Sequence, residues 1–233
     1  MNPIPNKVLL PVIHAQSLTQ VLKNCEIAIE SKCDGVFVIN HETQNGDREL
    51  KYNDLISIVD QVAKHFPDLW IGVNCLDLPS AEVFQHLSPA VKGVWADNGE
   101  IDEQVEVQPA AEAILSAKKK SGWDGLYFGG VAFKYQRPVS DSAKAAVIAQ
   151  HFIDVVTTSG PGTGESASID KIQGMKQAIE PAPLAIASGI TPDNVQDYLP
   201  WIDYFLVATG ISDDFYNLNR EKTSHLAKIV HAF

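Results

Sequence analysis

The chain has no apolar run of about 18 residues, so no transmembrane helix is expected. Its opening residues, MNPIPNK, lack a signal-peptide pattern, and LLPVI is too short for an apolar signal core. A cytosolic location is the resulting expectation. Basic residues are scarce: 18 Lys and Arg stand against 29 Asp and Glu, for a formal net charge of −11. Such a chain is a poor partner for nucleic acid or an anionic membrane unless it carries a local basic patch. Its tight basic run, Lys118-Lys119-Lys120, reads as the solvated end of a helix. Three cysteines, Cys25, Cys33 and Cys75, are too few and too irregularly spaced for a disulfide framework or a metal site, and read as reduced core thiols. No Gly-x-Ser-x-Gly, Walker loop or His-Glu-x-x-His occurs. No cofactor and no metal are expected.

What is present is organised around residues 153–163, IDVVTTSGPGT. An apolar, β-branched run breaks into a glycine-rich turn, and a helix-like stretch at 168–179 follows. A buried strand leading into a glycine-rich turn and then a helix shapes backbone to hold an anion. Two shorter echoes come later: Ala187-Ser188-Gly189-Ile190 after PLAI, and Ala208-Thr209-Gly210-Ile211 after YFLV. Three such turns suggest one shared site at one end of a parallel sheet.

Read in order, strands are expected at 7–14, 35–40, 69–74, 91–96, 125–133, 153–157, 184–187 and 204–208. Pro11 is awkward within the first, because it removes a ladder donor. Gly129-Gly130 interrupts the fifth and suggests a bulge or a close ligand approach. Amphipathic helices alternate with the strands. Ser17 caps the first; a short one is expected at 79–87; Thr191 is the expected N-cap of the seventh, with Pro192 at its first position. Eight strand–helix pairs in 233 residues give about 29 residues each, with no linker or composition break. Strands apolar on both faces imply a parallel sheet covered by helices. The count of eight favours a closed (β/α)8 TIM barrel, spanning 1–233 as one domain, over an open doubly wound sheet.

In such a barrel the active site lies at the C-terminal strand ends. The polar residues expected there include His14, Asn40 with His41, Asn74 with Asp77, Asp97 with Asn98, and Lys134. His14 is an acid or base near neutral pH, or a hydrogen-bonded structural histidine. His41 reads as an exposed loop residue. Asn74, Asp77 and Asp97 could meet substrate hydroxyls or a divalent ion, although no ligand spacing supports the ion and Asp77 could simply cap the helix at Pro79. Alternation along the fifth strand puts Lys134 opposite Phe133. With Phe133 packed outward, Lys134 would point into the mouth, partly desolvated. The phosphate candidates are Ser159, Gly160, Gly162, Thr163, Gly164, Ser188, Gly189, Thr209 and Gly210, with 212–216 as a short extra helix. Asp213 and Asp214 would oppose an anion there. The alternative is that these glycines only turn the chain.

Several of these stretches recur in this order in a known family. They are Val73-Asn74 after IG, Phe133-Lys134-Tyr135, the turn from Thr158 to Gly164, and the run from Ala187 to Asn194. The chain resembles the BtpA family of phosphate-binding-type TIM barrels, related to the sugar-isomerase-like protein SgcQ. It departs from the family pattern in a short loop after His14, Tyr135 in place of a histidine, a brief loop after Asp97, and Asp213 in place of a basic residue. The resemblance implies the fold more than a reaction; with the converging glycine turns, the leading reading is a cytosolic barrel enzyme acting on a small phosphorylated metabolite, a sugar phosphate or phosphoribosyl compound, by isomerase, lyase or phosphoribosyl-transfer chemistry. In that reading Lys134 is the catalytic electrophile or acid, Asn74 and Asp97 orient the substrate, and His14 is the further acid or base. The other reading is a barrel without catalysis that serves as an assembly or stability factor. Neither requires nucleic acid or membrane insertion, and both leave room for a homo-oligomer.

Overall fold

In the computed structural model, which describes residues 7–41 and 50–233, eight parallel strands close into a TIM barrel. The strands are β1 (Val8–His14), β2 (Val36–Asn40), β3 (Ile71–Cys75), β4 (Gly93–Ala96), β5 (Leu126–Gly130), β6 (Val155–Thr158), β7 (Leu184–Ile186) and β8 (Tyr204–Val207). The helices between and after them are α1 (Leu18–Glu30), α2 (Tyr52–His65), α3 (Ser80–Val83), α4 (Pro109–Ser121), α5 (Ser142–Ala149), α6 (Ile169–Ile179), α7 (Val195–Tyr198) and α8 (Arg220–His231). Closure comes from β1, which pairs with β2 on one side and β8 on the other. Pro11 is tolerated because the β1–β2 pairing begins only at Val12↔Phe37. Residues 1–6 and the polar loop after β2, at 42–49, lie outside the described residues.

Alternation along each strand separates two apolar layers. Leu9, Ile13, Val36, Val38, Val94 and Tyr127 face the helices; Leu10, Val12, Phe37, Ile39, Trp95 and Phe128 fill the barrel. The interior admits so many rings because its neighbours are small. A Cβ on Gly72 would come within 2.3 Å of the Phe37 ring, and one on Gly93 within 2.3 Å of Trp70. Among the described residues no helix is long and apolar enough to cross a membrane. The three cysteines are free thiols, with Cys25 and Cys75 buried.

Three expected elements differ. β5 stops at Gly130, and 131–136 is a tight turn with Ala132 and Tyr135 at positive φ. Gly129-Gly130 forms no bulge: a Cβ on Gly130 would lie 1.8 Å from the Asp97 carbonyl oxygen and one on Gly129 2.5 Å from the Ile153 side chain, so the first admits the loop after β4 and the second the residue that leads into β6. α7 begins after Asn194, one turn later than expected, because Thr191 is held in a preceding turn by the Asn194 carboxamide at 2.9 Å. No extra helix forms at 212–216; a short 3-10 turn precedes it at Thr209–Ile211, and Asp213 and Asp214 close the loop that follows.

The N-terminal end of the barrel is sewn by three aspartates standing just before even-numbered strands. Asp34 accepts the Leu9 amide at 2.7 Å, Asp154 the Tyr127 amide at 2.7 Å, and Asp203 the Leu184 amide at 2.9 Å. Each also meets a cationic or titratable side chain from a helix: His231, Lys118 and Lys176 respectively. The Lys176–Asp203 pair, 2.7 Å apart, is buried on both sides. Removing one member of a buried pair leaves a charge uncompensated, which typically costs about 3–5 kcal/mol. Lys7, 3.6 Å from the same carboxylate, limits that loss. Lys176→Met is therefore expected to cost about 3 kcal/mol in urea unfolding, without altering ligand binding at the opposite end. A change below about 0.5 kcal/mol would show that the pair is not structural.

Candidate functional site

The C-terminal strand ends surround a cavity of about 400 Å³. On the β1–β2 side it is walled by His14, His41 and Phe215. The ring of Phe215 stacks on His14 at 4.0 Å, and His41 meets both edge-on. His41 is buried, contrary to the expectation of an exposed loop residue, because the 212–218 loop folds over it and brings Tyr216 Oη within 3.2 Å of its Nε2. α1 clamps that loop: Gln20 and Asn24 both donate to the Tyr216 carbonyl, at 2.6 and 2.7 Å. His14 Nδ1 lies 3.0 Å from the Phe215 carbonyl, which can only accept, so Nδ1 carries the proton and Nε2 is left as a base. Burial, then the neighbouring His41, lowers the His14 pKa to about 4. It is neutral at physiological pH.

Asp97 and Lys134 line the same cavity. The buried Asn74, on the inner face of β3, donates to Asp97 Oδ1 at 2.9 Å without itself lining the cavity. Burial raises the Asp97 pKa; the Asn74 hydrogen bond and the Lys134 charge oppose that rise. Burial lowers the Lys134 pKa, with Asp97 and Tyr135 opposing. Lys134 reaches the mouth by a different route from strand alternation. Phe133 packs inside the barrel against Trp95, ring centroids 6.1 Å apart, and the turn at 131–136 rather than a strand presents the lysine. Asp77 and Asn40 are structural: Asp77 accepts from Asn40 and from the Tyr52 amide, capping α2 rather than α3.

Sequence reasoning missed Lys171. It sits in the first turn of α6, and its Nζ donates to the carbonyls of Ala132 at 2.6 Å and Ser159 at 2.8 Å. Burial lowers its pKa to about 8. Ser159 Oγ in turn accepts the Lys134 amide at 2.7 Å. This chain of bonds stabilises the left-handed Ala132 and ties the Lys134 turn to β6. Glu103 was missed too. Its buried carboxylate is bound by Arg137 and Ser140, which keeps it well below the usual carboxylate range and fastens the acidic loop to the loop after β5. The signal for Lys171 was weak: one lysine at the third position of a helix.

The phosphate candidates divide. Thr163, Gly164, Ser188, Gly189 and Thr209 line the cavity; Ser159 and Gly160 line an adjoining groove with Lys171. Gly162 and Gly210 line neither: a Cβ on Gly162 would meet the Glu165 carboxylate at 2.6 Å, and one on Gly210 the Ile190 carbonyl at 1.9 Å. The Thr163 amide donates to Tyr135 Oη at 3.2 Å, and the Ser188 hydroxyl to the Gly162 carbonyl at 2.8 Å. The amides of Gly164, Gly189, Ile190 and Thr209 donate to no acceptor among the described residues.

No protein-family model matches the chain. An uncharacterised protein of Thermococcus kodakarensis is 24% identical over 99% of this chain and 91% of its own length. An uncharacterised protein of Pyrococcus abyssi is 30% identical over 33% of this chain and 30% of its own. Among solved structures, the chain is similar to tryptophan synthase subunit alpha from Legionella pneumophila (TM-score 0.69, 13% identity, 97% of this chain and 94% of that one). It is similar also to phosphoribosyl anthranilate isomerase from Thermus thermophilus (TM-score 0.66, 13% identity, 97% and 98%). A third likeness is (S)-3-O-geranylgeranylglyceryl phosphate synthase from Thermoplasma acidophilum, solved with its substrate sn-glycerol-1-phosphate (TM-score 0.65, 16% identity, 98% and 95%). At these identities the likeness establishes the TIM-barrel fold.

Two outcomes test the site's physics. The His14 pKa is lower in the fold than its ordinary 6.5, so its contribution to stability is present above pH 6.5 and is lost as pH falls toward 4. Urea midpoints measured across that window should fall less steeply in His14→Gln than in the natural chain. A His14 resonance titrating at 6.5 would disprove this assignment. Lys171→Met should cost about 1–3 kcal/mol, because the Ser159 carbonyl loses its donor and the Ala132 carbonyl keeps only the Thr158 hydroxyl at 3.3 Å, and should speed hydrogen exchange at 132–136. Exchange that does not change there would separate Lys171 from the Lys134 turn.

Proposed function

We propose that the barrel mouth binds the phosphate of a small phosphorylated metabolite and carries out isomerase, lyase or phosphoribosyl-transfer chemistry on it. The observation that carries this reading is the set of unengaged amides at Gly164, Gly189, Ile190 and Thr209, on the same cavity as Lys134. Backbone donors need an acceptor, and an anion among several of them is favoured further by a nearby ammonium. The phosphorylated compounds named for two of the similar barrels, and the motif likeness to the BtpA family, support the same reading. Lys134 would polarise or protonate an oxygen of the substrate beside the phosphate. Asp97, held by Asn74 and with its pKa raised, suits transfer of a proton; His14 Nε2 offers a second base on the opposite wall. The reaction itself is left open among these classes, since one fold hosts many. We read residues 1–233 as one such domain, working in the cytosol. A non-catalytic assembly or stability factor is the weaker reading, because such a factor needs no strand-end cavity, and here one of about 400 Å³ is lined by His14, Asp97 and Lys134.

Inorganic phosphate should raise the melting temperature of the natural chain, since a ligand of the folded state alone stabilises it. Each kcal/mol of binding stabilisation should appear as about 2–4 °C. Lys134→Met should fold and lose at least about tenfold in phosphate affinity, equivalent to about 1.4 kcal/mol. Equal shifts in both proteins would end the proposal. Gly189 is not a usable probe: its φ is +69° and a Cβ would lie 2.4 Å from Glu165 backbone, so replacement disturbs the fold itself.

A further inference from the structure

The phosphate reading says nothing about the rest of the ligand, but the cavity floor does. Below the charged rim the floor is made by Val12, Ile39, Leu76, Trp95, Ala187 and Leu206. Five of these six belong to, and Leu76 packs against, the apolar cluster that fills the barrel. The indole N–H of Trp95 is itself buried and meets no acceptor among the described residues. One wall is the Phe215 ring, 44% exposed although it stacks on His14. Asp97, Lys134, His14 and His41 line the same cavity, so its charged and titratable groups are few beside these apolar side chains.

A ligand body carrying several hydroxyls would set some of them against aliphatic side chains. Each polar group buried without a partner costs about 1–3 kcal/mol. A flat ring seated there loses little and gains aromatic contacts with Trp95 and Phe215. We propose that the phosphorylated ligand of this mouth carries a planar, apolar or aromatic body, seated on the Trp95 floor with Phe215 as its wall, and not a polyhydroxylated chain. This narrows the reading of the same site, on whose phosphate subsite it rests.

The test uses phosphomonoesters alike in charge and unlike in body. Phenyl phosphate, glycerol phosphate and inorganic phosphate are titrated by thermal shift and by intrinsic fluorescence, with phenol as the neutral body alone. Trp95 is the one tryptophan of four that lines the cavity, so occupancy of the floor should change its emission. Phenyl phosphate is expected to bind at least about tenfold tighter than glycerol phosphate, equivalent to about 1.4 kcal/mol, with an emission change absent from Trp95→Phe. If Trp95→Phe does not fold, the thermal-shift comparison on the natural chain carries the result. Glycerol phosphate binding as tightly as phenyl phosphate would overturn this inference and leave the phosphate reading standing. A Trp95-dependent response to phenol, with none to any phosphate, would overturn the phosphate reading and keep the apolar floor. No response to any of the four would overturn both.

Discussion

Closure of the strand ring is the constraint on which everything else depends. Once β1 pairs with β8 as well as β2, no strand has a free edge and the inward side chains must fill a fixed volume. The chain meets that requirement with rings set beside glycines: Phe37, Trp70 and Phe128 lie edge to face, and Gly72 and Gly93 make room for them. The lower half of the barrel is thereby solid. The cavity can open only toward the C-terminal ends, where the inner residues become Val12, Ile39 and Leu206.

The two ends of the ring are polar for different reasons. At the N-terminal end, Asp34, Asp154 and Asp203 accept strand amides and meet helix side chains, so their charges are locked into structure. At the C-terminal end, His14, Asp97 and Lys134 have pKa values displaced chiefly by burial, each toward its neutral form. Desolvation also lowers the pKa of Lys171 and Lys7, which the fold ties to carbonyls and to Asp203; what sets His14, Asp97 and Lys134 apart is that they line the open cavity as well. Glu103 shows the contrast. Its carboxylate is shifted the other way by its bond to Arg137, and it serves to tie two loops together.

The mouth is assembled from loops that constrain one another. The backbone around Glu165 packs on Gly160 and Gly189, and Ile190 packs on Gly210, so the turns after β6, β7 and β8 form one unit. Lys171 joins the turn after β5 to it. On the far side α1 fixes the loop that carries Phe215 and Tyr216. A ligand entering the mouth would meet surfaces already positioned by these contacts, which lowers the ordering cost of binding.

The sequence by itself determined the strand–helix alternation and the eightfold count, because apolar periodicity and cap residues such as Ser17 are local signals. It also placed His14, Asp97 and the glycine turns at strand ends, since position along a parallel strand decides which end of the barrel a residue reaches. The recurring aspartate before β2, β6 and β8 was legible in principle as a repeated residue preceding a β-branched or aromatic run. Only tertiary structure decided which way side chains face once the strand pattern stops. Phe133 turned inward, and Lys134 reached the mouth, through a left-handed turn held by a lysine 37 positions further on. His41 became a buried wall because a loop from the other end of the chain closes over it. Contacts between residues far apart in sequence leave no periodic trace, and these contacts define the pocket.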